Sequence, residues 1–507
     1  MDQLSRKAFL RKTLLGGLGA QACFTACDGL AASEQDGRQR DRSYVPLLPV
    51  AGEYDVVVAG GGLAGVAAAC AAARAGAGTA MIEAQAFAGG VATATMEATM
   101  SNRFHNAAGE QVVGGRPLEL VERLVALGAT TPTWPRHPYH ITFDIELAKL
   151  AMDMMLEEAG VDVYYGTIVT DAVMADNCVT GVVISNRSGN QVLRAKCVVD
   201  ATGDADVAHY AGAPLRMGRM TNSFMFRLGN VDFDKLVAFF QENPQEYGNG
   251  RSPARSVENM QAFYDAGYFI LEHYGDKLEK TLGDAIKSGE YSEAWGPFHD
   301  MHAFKMSGIR AKKTLNVNTG QVAVTGIDGK ELSDLLRQGR AMAHHVAAFL
   351  RKHLPGLEDS FVVHTSSMLG LRHTRWLDGA FTLTEATYGT SFEDAVGRGV
   401  ALSKWRKESE LFDVPLRCML PRTTDGLIIG SGRSTSSTPA EVLRIQPVTM
   451  IVGQGAGVSA AVAARDGVAV RNVSISRVQQ ALAEQGVKSF QKSPQLPVTI
   501  VVQPWRR

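Results

Sequence analysis

The sequence is poor in cysteine. Six of its 507 residues are cysteines, at positions 23, 27, 70, 178, 197 and 418, and they form no Cys-x-x-Cys pair. This spacing argues against a redox-active dithiol and does not match a zinc site. We therefore expect the four cysteines beyond residue 30 to be buried as small apolar side chains.

The chain also lacks an excess of charge of either sign. Its 51 Lys and Arg residues nearly balance 52 Asp and Glu residues, which gives a net charge of −1. A nucleic-acid-binding surface usually needs a basic excess or stripe, so we expect no nucleic-acid partner. Beyond residue 30, no stretch reaches the roughly 18 apolar residues that a membrane-spanning helix needs. A length of 507 residues predicts at least two domains.

Residues 1–30 resemble an export signal rather than part of a fold. Basic residues at positions 6, 7, 11 and 12 precede a short, weakly apolar stretch from Leu14 to Cys27. Ser5–Leu10 is close to a twin-arginine (Tat) signal, but Lys7 stands in place of the second arginine, which leaves the export route open. We expect the protein to be exported, either periplasmic or anchored outside the cytoplasm.

The end of this signal allows two outcomes for Cys27. Phe24–Cys27 resembles a lipobox, in which Cys27 would be lipidated and would anchor a lipoprotein to the membrane. Alternatively, the signal is cleaved without lipidation and Cys27 is discarded. Residues 31–52 are polar and charged and are interpreted as a linker.

The strongest motif begins directly after the linker. An apolar run, Val56–Ala59, leads into Gly60, Gly62 and Gly65, and a second apolar run ends at Glu83. This is the dinucleotide-binding fingerprint, with a strand before it and a predicted helix, Leu63–Gly76, after it. The glycines permit the tight turn, the approach of a pyrophosphate and close helix packing. Glu83 is placed to accept hydrogen bonds from a ribose.

Further segments have the residue pattern that is typical of the same type of domain. Glycine pairs occur at 89–90 and 114–115, strands are predicted between residues 161 and 199, and the last strand runs into a tight turn at Asp200–Asp204. Near the other end, a strand and turn at 426–433 precede a small-residue helix from Pro447 to about Arg465. A second fingerprint for NAD(P) is missing, because the glycines at 453–457 lie inside that helix pattern.

Taken in order, these segments resemble the family of FAD-dependent oxidoreductases with a glutathione-reductase-like flavin fold, related to fumarate-reductase-type flavoproteins. The resemblance covers most of residues 53–470. It also includes Phe143-Asp144, Phe226–Gly229, Gly370–Arg375 and Arg444–Gly457. It implies an α/β fold, in which a discontinuous Rossmann-like FAD-binding domain carries an inserted α+β substrate or cap domain.

The resemblance also implies domain boundaries and cofactor contacts. The FAD-binding domain would comprise residues 53–215 and 366–475, the cap domain residues 216–365, and a C-terminal extension residues 476–507. FAD would be held by Gly60, Gly62, Leu63, Ala64, Gly65, Glu83, Gly89, Gly90, Thr202, Gly203, Asp204, Gly432, Arg433, Gln454 and Gly455. The helix near Pro447 would direct its positive end at the flavin pyrimidine.

The catalytic candidates are Arg372, His373 and Arg375, with His140 as a secondary candidate. An arginine pair suits a carboxylate or another oxygen-rich substrate, and His373 could exchange a proton. The alternative is that the two arginines only pair with acids at a domain junction. His373 stands where the family commonly has an acid, and residues 405–412 lack the family's usual histidine, so the substrate chemistry would differ from that of relatives.

Other histidines carry weaker hypotheses. His137 is a further candidate in a proline-rich loop, and His344-His345 is expected on a helix with one residue solvated. His299 and His302 could form a metal pair, but their surroundings offer no full ligand set, so we expect no metal site.

These observations predict an exported FAD-dependent enzyme acting on a small organic substrate. The leading interpretation is a dehydrogenase or oxidase that transfers a hydride from the substrate to flavin N5. One alternative is a flavin-dependent reductase of an unsaturated acid, and another is a non-catalytic flavin-binding lipoprotein subunit. Because no NAD(P) unit is found, electrons would pass to or from a quinone, a cytochrome, oxygen or another electron-transfer partner.

Overall fold

The computed structural model describes residues 42–106, 109–136, 140–218, 220–247, 256–271, 278–291, 305–324, 326–402, 409–438 and 441–488. The strands are β1 (Val50–Ala59), β2 (Thr79–Ile82), β3 (Thr99–Ser101), β4 (His140–Thr142), β5 (Asp162–Tyr164), β6 (Ile168–Ala175), β7 (Cys178–Asn186), β8 (Gly189–Asp200), β9 (Leu215–Met217), β10 (Met220–Gly229), β11 (Tyr268–Leu271), β12 (Lys305–Ile309), β13 (Thr314–Val324), β14 (Phe361–Thr365), β15 (Arg375–Leu377), β16 (Leu383–Thr384), β17 (Ala395–Leu402), β18 (Ser409–Pro415), β19 (Leu427–Ile429) and β20 (Ser437–Thr438). The α-helices are α1 (Leu63–Arg74), α2 (Val91–Ala94), α3 (Arg116–Ala126), α4 (Ile145–Ala159), α5 (Asp206–Tyr210), α6 (Phe233–Glu242), α7 (Pro244–Tyr247), α8 (Val257–Asp265), α9 (Glu279–Lys287), α10 (Gly329–His353), α11 (Glu441–Arg444), α12 (Gln446–Asp466) and α13 (Ile475–Glu484).

The main sheet has the order β5-β2-β1-β8-β7-β6, with β19 also paired to β8. Strands β5, β2, β1, β8 and β19 run parallel, whereas β7 and β6 are antiparallel additions. Val56–Ala59 and Thr79–Ile82 are buried throughout, as expected for strands covered on both faces of a parallel sheet. The predicted α/β class is therefore confirmed.

Two helices of small residues pack tightly on this sheet. Helices α1 and α12 are neighbours, and Gly453 and Gly457 of α12 face the backbone of Ala64 and Ala68 in α1. A Cβ atom added at Gly453 or Gly457 would lie 2.0 or 2.1 Å from those carbonyl oxygens. The absence of side chains at these two glycines therefore sets the distance between the helices.

Helix α12 is long and apolar enough to cross a membrane, with a mean hydropathy of 1.4, although the sequence alone gave no such segment. In the structure, 94% of the apolar window is buried inside the protein. It is therefore the central helix of the core. It begins at Gln446 and ends at Asp466, where Gly467 adopts a left-handed conformation.

A second, antiparallel sheet has the order β11-β12-β13-β10-β14. Helix α10 contacts β10 and β14, and the core beneath it is rich in aromatic residues, including Phe224, Phe226 and Phe240. The strands of this second sheet lie between residues 220 and 365, in the segment that the sequence assigns to the cap domain. The domain boundaries themselves stay a prediction.

Several local expectations need adjustment. Helix α1 ends at Arg74 rather than Gly76, because Gly76 has a φ of +90°. His344 and His345 lie on α10 as expected, but both are exposed.

Helix α13 packs against α12 and buries Val478 and Leu482, so the first part of the predicted C-terminal extension belongs to the core. The buried apolar environment predicted for cysteines holds for Cys70, Cys197 and Cys418, whereas Cys178 is only half-buried.

Candidate active site

A cavity of about 950 Å³ opens where β1, β2 and β8 reach their carboxyl ends. Its volume lies within the usual range of ligand sites, roughly 300–1,000 Å³. Its wall includes residues 60, 62–64, 82–85, 89–92, 201–204, 370–372, 431, 433, 444–446 and 449. The carboxyl edge of a parallel sheet is where ligands bind in open α/β folds.

Glycine is needed at the three fingerprint positions for different structural reasons. At Gly60, φ is +101° and an added Cβ would lie 2.5 Å from the carbonyl oxygen of Ala201. At Gly65, an added Cβ would lie 1.8 Å from the carbonyl oxygen of Gly60. At Gly62, an added Cβ would have no other atom within 4 Å. Gly62 lines the cavity together with Leu63 and Ala64. The first two glycines therefore build the turn, and Gly62 leaves space for a ligand.

Glu83 is fixed at the edge of the same cavity by backbone groups. The N–H groups of Gly61 and Gln85 each donate a 2.7 Å hydrogen bond to its carboxylate. Burial raises the pKa of Glu83, while the backbone hydrogen bonds act in the opposite direction. Because a carboxylate can accept about four hydrogen bonds, acceptor capacity remains for ribose hydroxyls.

The second glycine pair lies directly beside the fingerprint. Gly89 and Gly90 have φ values of +110° and +52°, and both line the cavity. An added Cβ at Gly90 would lie 3.0 Å from the Cα atom of Gly62, and Gly89 forms a parallel bridge with Gly62. The two glycine turns thus form one continuous backbone wall.

Arg433 ties the distant parts of the wall together. Its guanidinium donates to the carbonyl oxygen of Gly203 at 2.7 Å, to that of Leu371 at 2.5 Å and to the carboxylate of Asp204 at 2.7 Å. Thr202, Gly203, Asp204 and Arg433 all line the cavity. Gly432 does not line it, since an added Cβ there would lie 2.0 Å from the carbonyl oxygen of Leu443. The Arg433 side chain is therefore occupied in holding the wall.

The structure separates the predicted catalytic residues. Arg372 and His140 line the cavity, and Arg372 donates to the Ser223 hydroxyl at 3.0 Å. His373 is not among the lining residues: its ring packs against Trp376, with ring centroids 5.9 Å apart. Arg375 also lies outside the lining and forms an ion pair with Asp206. The proposed roles of His373 and Arg375 in chemistry therefore have no geometric support, and Arg375 matches the alternative of a structural ion pair.

His137, His299 and His302 lie outside the described residues. Within the described part of the chain, no group of three or more His, Cys, Asp or Glu side chains is arranged to hold a metal ion.

The sequence-based hypothesis missed a row of polar residues around β3. Glu97, Thr99, Ser101 and Arg103 all line the cavity, whereas the intervening Ala98 and Met100 are buried and Asn102 is half-buried. Alternation with a period of two places such residues on one face of an extended segment. This alternation of polar and apolar residues is visible in the sequence and could have revealed the row.

A buried ion pair was also missed. Lys305 is only 4% exposed, and its Nζ atom lies 3.0 Å from a carboxylate oxygen of Glu97 and donates to Thr99. Asn318 donates to the other Glu97 oxygen at 3.1 Å. Lysine is almost never this buried unless it is paired. A buried ion pair in the wall of a cavity is a candidate for proton transfer.

The family follows from a match along most of the chain. The family model described as "FAD dependent oxidoreductase" matches residues 55–482. The chain belongs to this family. It is therefore an enzyme that uses FAD as its cofactor, and no curated protein sequence matches it.

Solved flavoprotein structures resemble this FAD-dependent oxidoreductase only distantly. A geranylgeranyl bacteriochlorophyll reductase-like protein from Thermoplasma acidophilum has 15% identity and a TM-score of 0.40, with 85% of this chain and 83% of that chain covered. p-Nitrophenol 4-monooxygenase from Pseudomonas putida DLL-E4 has 13% identity and a TM-score of 0.40, with 86% and 84% covered. A flavocytochrome c3 fumarate reductase has 14% identity and a TM-score of 0.37, with 83% and 80% covered.

The residues at the sheet edge fit FAD. The cavity is large, and the missing side chain at Gly62 leaves space at the wall for a ligand. Helix α1 begins there without a side-chain cap, so the first N–H groups and the positive end of the helix can bind a pyrophosphate. Two predicted contacts lie elsewhere. Gln454 accepts a hydrogen bond from the backbone of Arg116, and Gly455 packs against Val396. Instead, Ile445, Gln446 and Thr449 bring the start of α12 to the cavity.

Proposed function

We propose that this FAD-dependent oxidoreductase transfers a hydride from a small organic substrate to flavin N5, as a dehydrogenase or oxidase. One observation carries the proposal. A single cavity joins the dinucleotide-binding turn at Gly60–Ala64 to a cluster of ionisable side chains that includes Glu97, Arg103, His140 and Lys305. Such a cavity offers a place for a substrate beside the cofactor.

When bound, FAD supplies the two-electron acceptor or donor of the reaction. The chain must then handle a proton, because oxidation of an alcohol or amine releases one proton for each hydride removed. The Glu97 carboxylate is positioned to accept that proton, and the neighbouring Lys305 Nζ atom, 3.0 Å away, stabilises the carboxylate by its charge. Asn318 fixes the other carboxylate oxygen, so the acid is held in one orientation.

The same residues serve the reverse reaction. In a reductase of an unsaturated acid, Lys305 Nζ or His140 would donate the proton that completes the reduced product. The presence of Arg103 and Arg372 in the cavity favours keeping this second candidate, since arginine suits a carboxylate. A non-catalytic carrier subunit has less support, because it would not need a buried ion pair in its cavity wall.

Anaerobic stopped-flow spectroscopy tests the direction. Under the leading proposal, alcohols, amines or sugars bleach the oxidised flavin absorbance, and enoates leave the reduced enzyme unchanged. Reoxidation of the reduced flavin by enoates would instead favour the reductase. If neither class changes the flavin spectrum at any concentration, both proposed reactions are contradicted and this FAD-dependent enzyme acts on another class of substrate.

We also propose export, with a quinone or a cytochrome as electron partner and with Cys27 as a lipid anchor. Residues 1–30, which resemble an export signal, support this proposal through their sequence and lie outside the described residues. Cell fractionation with the Cys27→Ala variant tests it. We expect the unaltered protein in the membrane fraction and the variant in the soluble exported fraction. Recovery of both in the cytoplasm would contradict export.

A further inference from the structure

Among the residues that the structure describes, no acid forms an ion pair with Arg103 in the cavity wall. Arg103 lines the cavity just beyond β3. Its Nε atom is buried and makes no hydrogen bond, and within the described part of the chain its guanidinium forms no ion pair. Arg103 as a whole is half-buried and lines the cavity, and withdrawing part of a charged group from water without a partner costs free energy.

Two other cations of the cavity wall are paired with acids: Lys305 with Glu97 and Arg433 with Asp204. In contrast, a neighbouring charge that acts on Arg103 is that of Arg444, which has the same sign. Burial, assisted by Arg444 and opposed by Tyr388, lowers the pKa of Arg103 to about 10. Arg103 therefore remains a cation at neutral pH, in surroundings that disfavour its charge.

The position of Arg103 relates it to a substrate. It belongs to the polar row that also contains Glu97, Thr99 and Ser101, and this row extends from the buried ion pair along one wall of the cavity. A group bound by Arg103 would thus occupy the same cavity whose wall contains Glu97 and Lys305. A guanidinium binds carboxylates through two parallel hydrogen bonds, which fixes orientation as well as affinity.

We propose that Arg103 binds the carboxylate of the substrate, so that the substrate class is an organic acid. This inference rests on the proposed function, since it assumes that the cavity holds a substrate beside the flavin. It applies to both directions of reaction, because a hydroxy acid, an amino acid and an unsaturated acid share the carboxylate. The competing role for Arg103 is neutralisation of the reduced flavin, given that Arg444 and the start of α12 are close by.

Ligand binding to the holoenzyme tests the proposal without turnover. Acetate and malonate are titrated against the oxidised enzyme, with acetamide as the uncharged counterpart of acetate, and binding is followed by calorimetry and by the flavin difference spectrum. We expect the two acids to bind and acetamide to fail. Arg103→Gln should weaken acid binding by at least about tenfold, the value of a charge-assisted hydrogen bond, and Arg103→Lys should lose less.

Controls separate folding, flavin and substrate effects. Arg194→Gln removes the same charge from a surface side chain that is 62% exposed, and should leave acid binding unchanged. The flavin content of each variant reports folding, and its reduction potential reports any effect on the flavin.

The outcomes differ for the two proposals. Equal binding of acetate and acetamide, no binding of either acid to the unaltered enzyme, or unchanged acid binding in Arg103→Gln would overturn the carboxylate assignment. A shifted potential with unchanged acid binding would assign Arg103 to the flavin instead. Arg103-dependent acid binding without flavin reduction or reoxidation by any acid would preserve this inference and refute the proposed catalysis.

Discussion

At the residue scale, Gly62 and Gly65 illustrate how one residue type serves two purposes within four positions. An added Cβ at Gly65 would lie 1.8 Å from the Gly60 carbonyl oxygen, whereas at Gly62 it would enter open space. Gly65 is required by the protein itself, and Gly62 is required only if a ligand passes close to it. This difference makes the cofactor position testable.

We predict that Gly62→Ala weakens FAD binding by about tenfold or more, equivalent to about 1.4 kcal/mol, and leaves the melting temperature of FAD-free protein unchanged. Gly65→Ala should destabilise even FAD-free protein, by about 1–3 kcal/mol, because the added atom overlaps backbone. Flavin fluorescence titration and thermal unfolding measure the two effects. Gly329→Ala, also in open space, is the control and should change neither. Normal FAD affinity in Gly62→Ala would place the cofactor elsewhere.

The two histidine candidates give a direct comparison. His140 lines the cavity and His373 does not, although the sequence favoured His373. If His140 donates the proton in the reductase direction, His140→Ala should slow reoxidation of the reduced flavin by an unsaturated acid by about 100-fold or more. His373→Ala should leave that rate unchanged. Both rates come from single-turnover absorbance measurements, and a slow His373→Ala enzyme with normal flavin content would restore the sequence-based hypothesis.

The buried ion pair is expected to be sensitive to the loss of one partner. Lys305→Met leaves the Glu97 carboxylate, whose side chain is 19% exposed, without its cation. We expect a loss of about 3 kcal/mol in the free energy of unfolding, partly recovered in the double variant Lys305→Met/Glu97→Gln. Lys330→Met is the matched control, because Lys330 is 79% exposed in its pair with Asp334 and should cost less than about 1 kcal/mol. Denaturant unfolding followed by circular dichroism compares them, and equal losses would contradict the argument.

At the element scale, the contact between α1 and α12 depends on missing side chains. We predict that Gly453→Ala and Gly457→Ala each lower the free energy of unfolding by about 1–3 kcal/mol, since an added Cβ would force the helices apart. Gly283→Ala in α9 is the control, because nothing lies within 4 Å of it and alanine favours a helix by up to about 1 kcal/mol. Thermal unfolding distinguishes them, and a stable Gly453→Ala protein would mean that the helices can separate without cost.

Element prediction succeeded where a local pattern was complete. Strand β1, helix α1 and strand β2 follow from an apolar run, a glycine turn and a second apolar run. The short strand β3 was missed, although Glu97–Ser101 alternates in polarity, because three residues of strand give little signal on their own. Gln454 and Gly455 were assigned to the cofactor from the family pattern. The first turn of α12 faces the cavity, and positions two turns further along are buried in the core.

At the scale of the whole molecule, the cavity brings together segments that are hundreds of residues apart, such as Gly60, Gly203 and Arg433. FAD that binds across these segments must stabilise the folded chain. We predict that removal of FAD lowers the melting temperature, and that added FAD restores it in proportion to the logarithm of its concentration. At 100 times the dissociation constant, the stabilisation should be about 2.7 kcal/mol. Differential scanning calorimetry measures it, and a melting temperature independent of FAD would contradict binding at this cavity.

The sequence by itself determined the dinucleotide-binding turn and the α/β class, because both depend on short-range patterns in which a strand, a glycine turn and a helix follow one another. The cofactor followed from the order of motifs over most of residues 53–470, which resembles that of FAD-dependent oxidoreductases. Only the tertiary structure decided which ionisable residues share the cavity. Lys305 meets Glu97 across 208 positions of the chain, and His373, adjacent to Arg372, points its ring to Trp376 instead. Such placements depend on how sheets and helices pack, which no local spacing records.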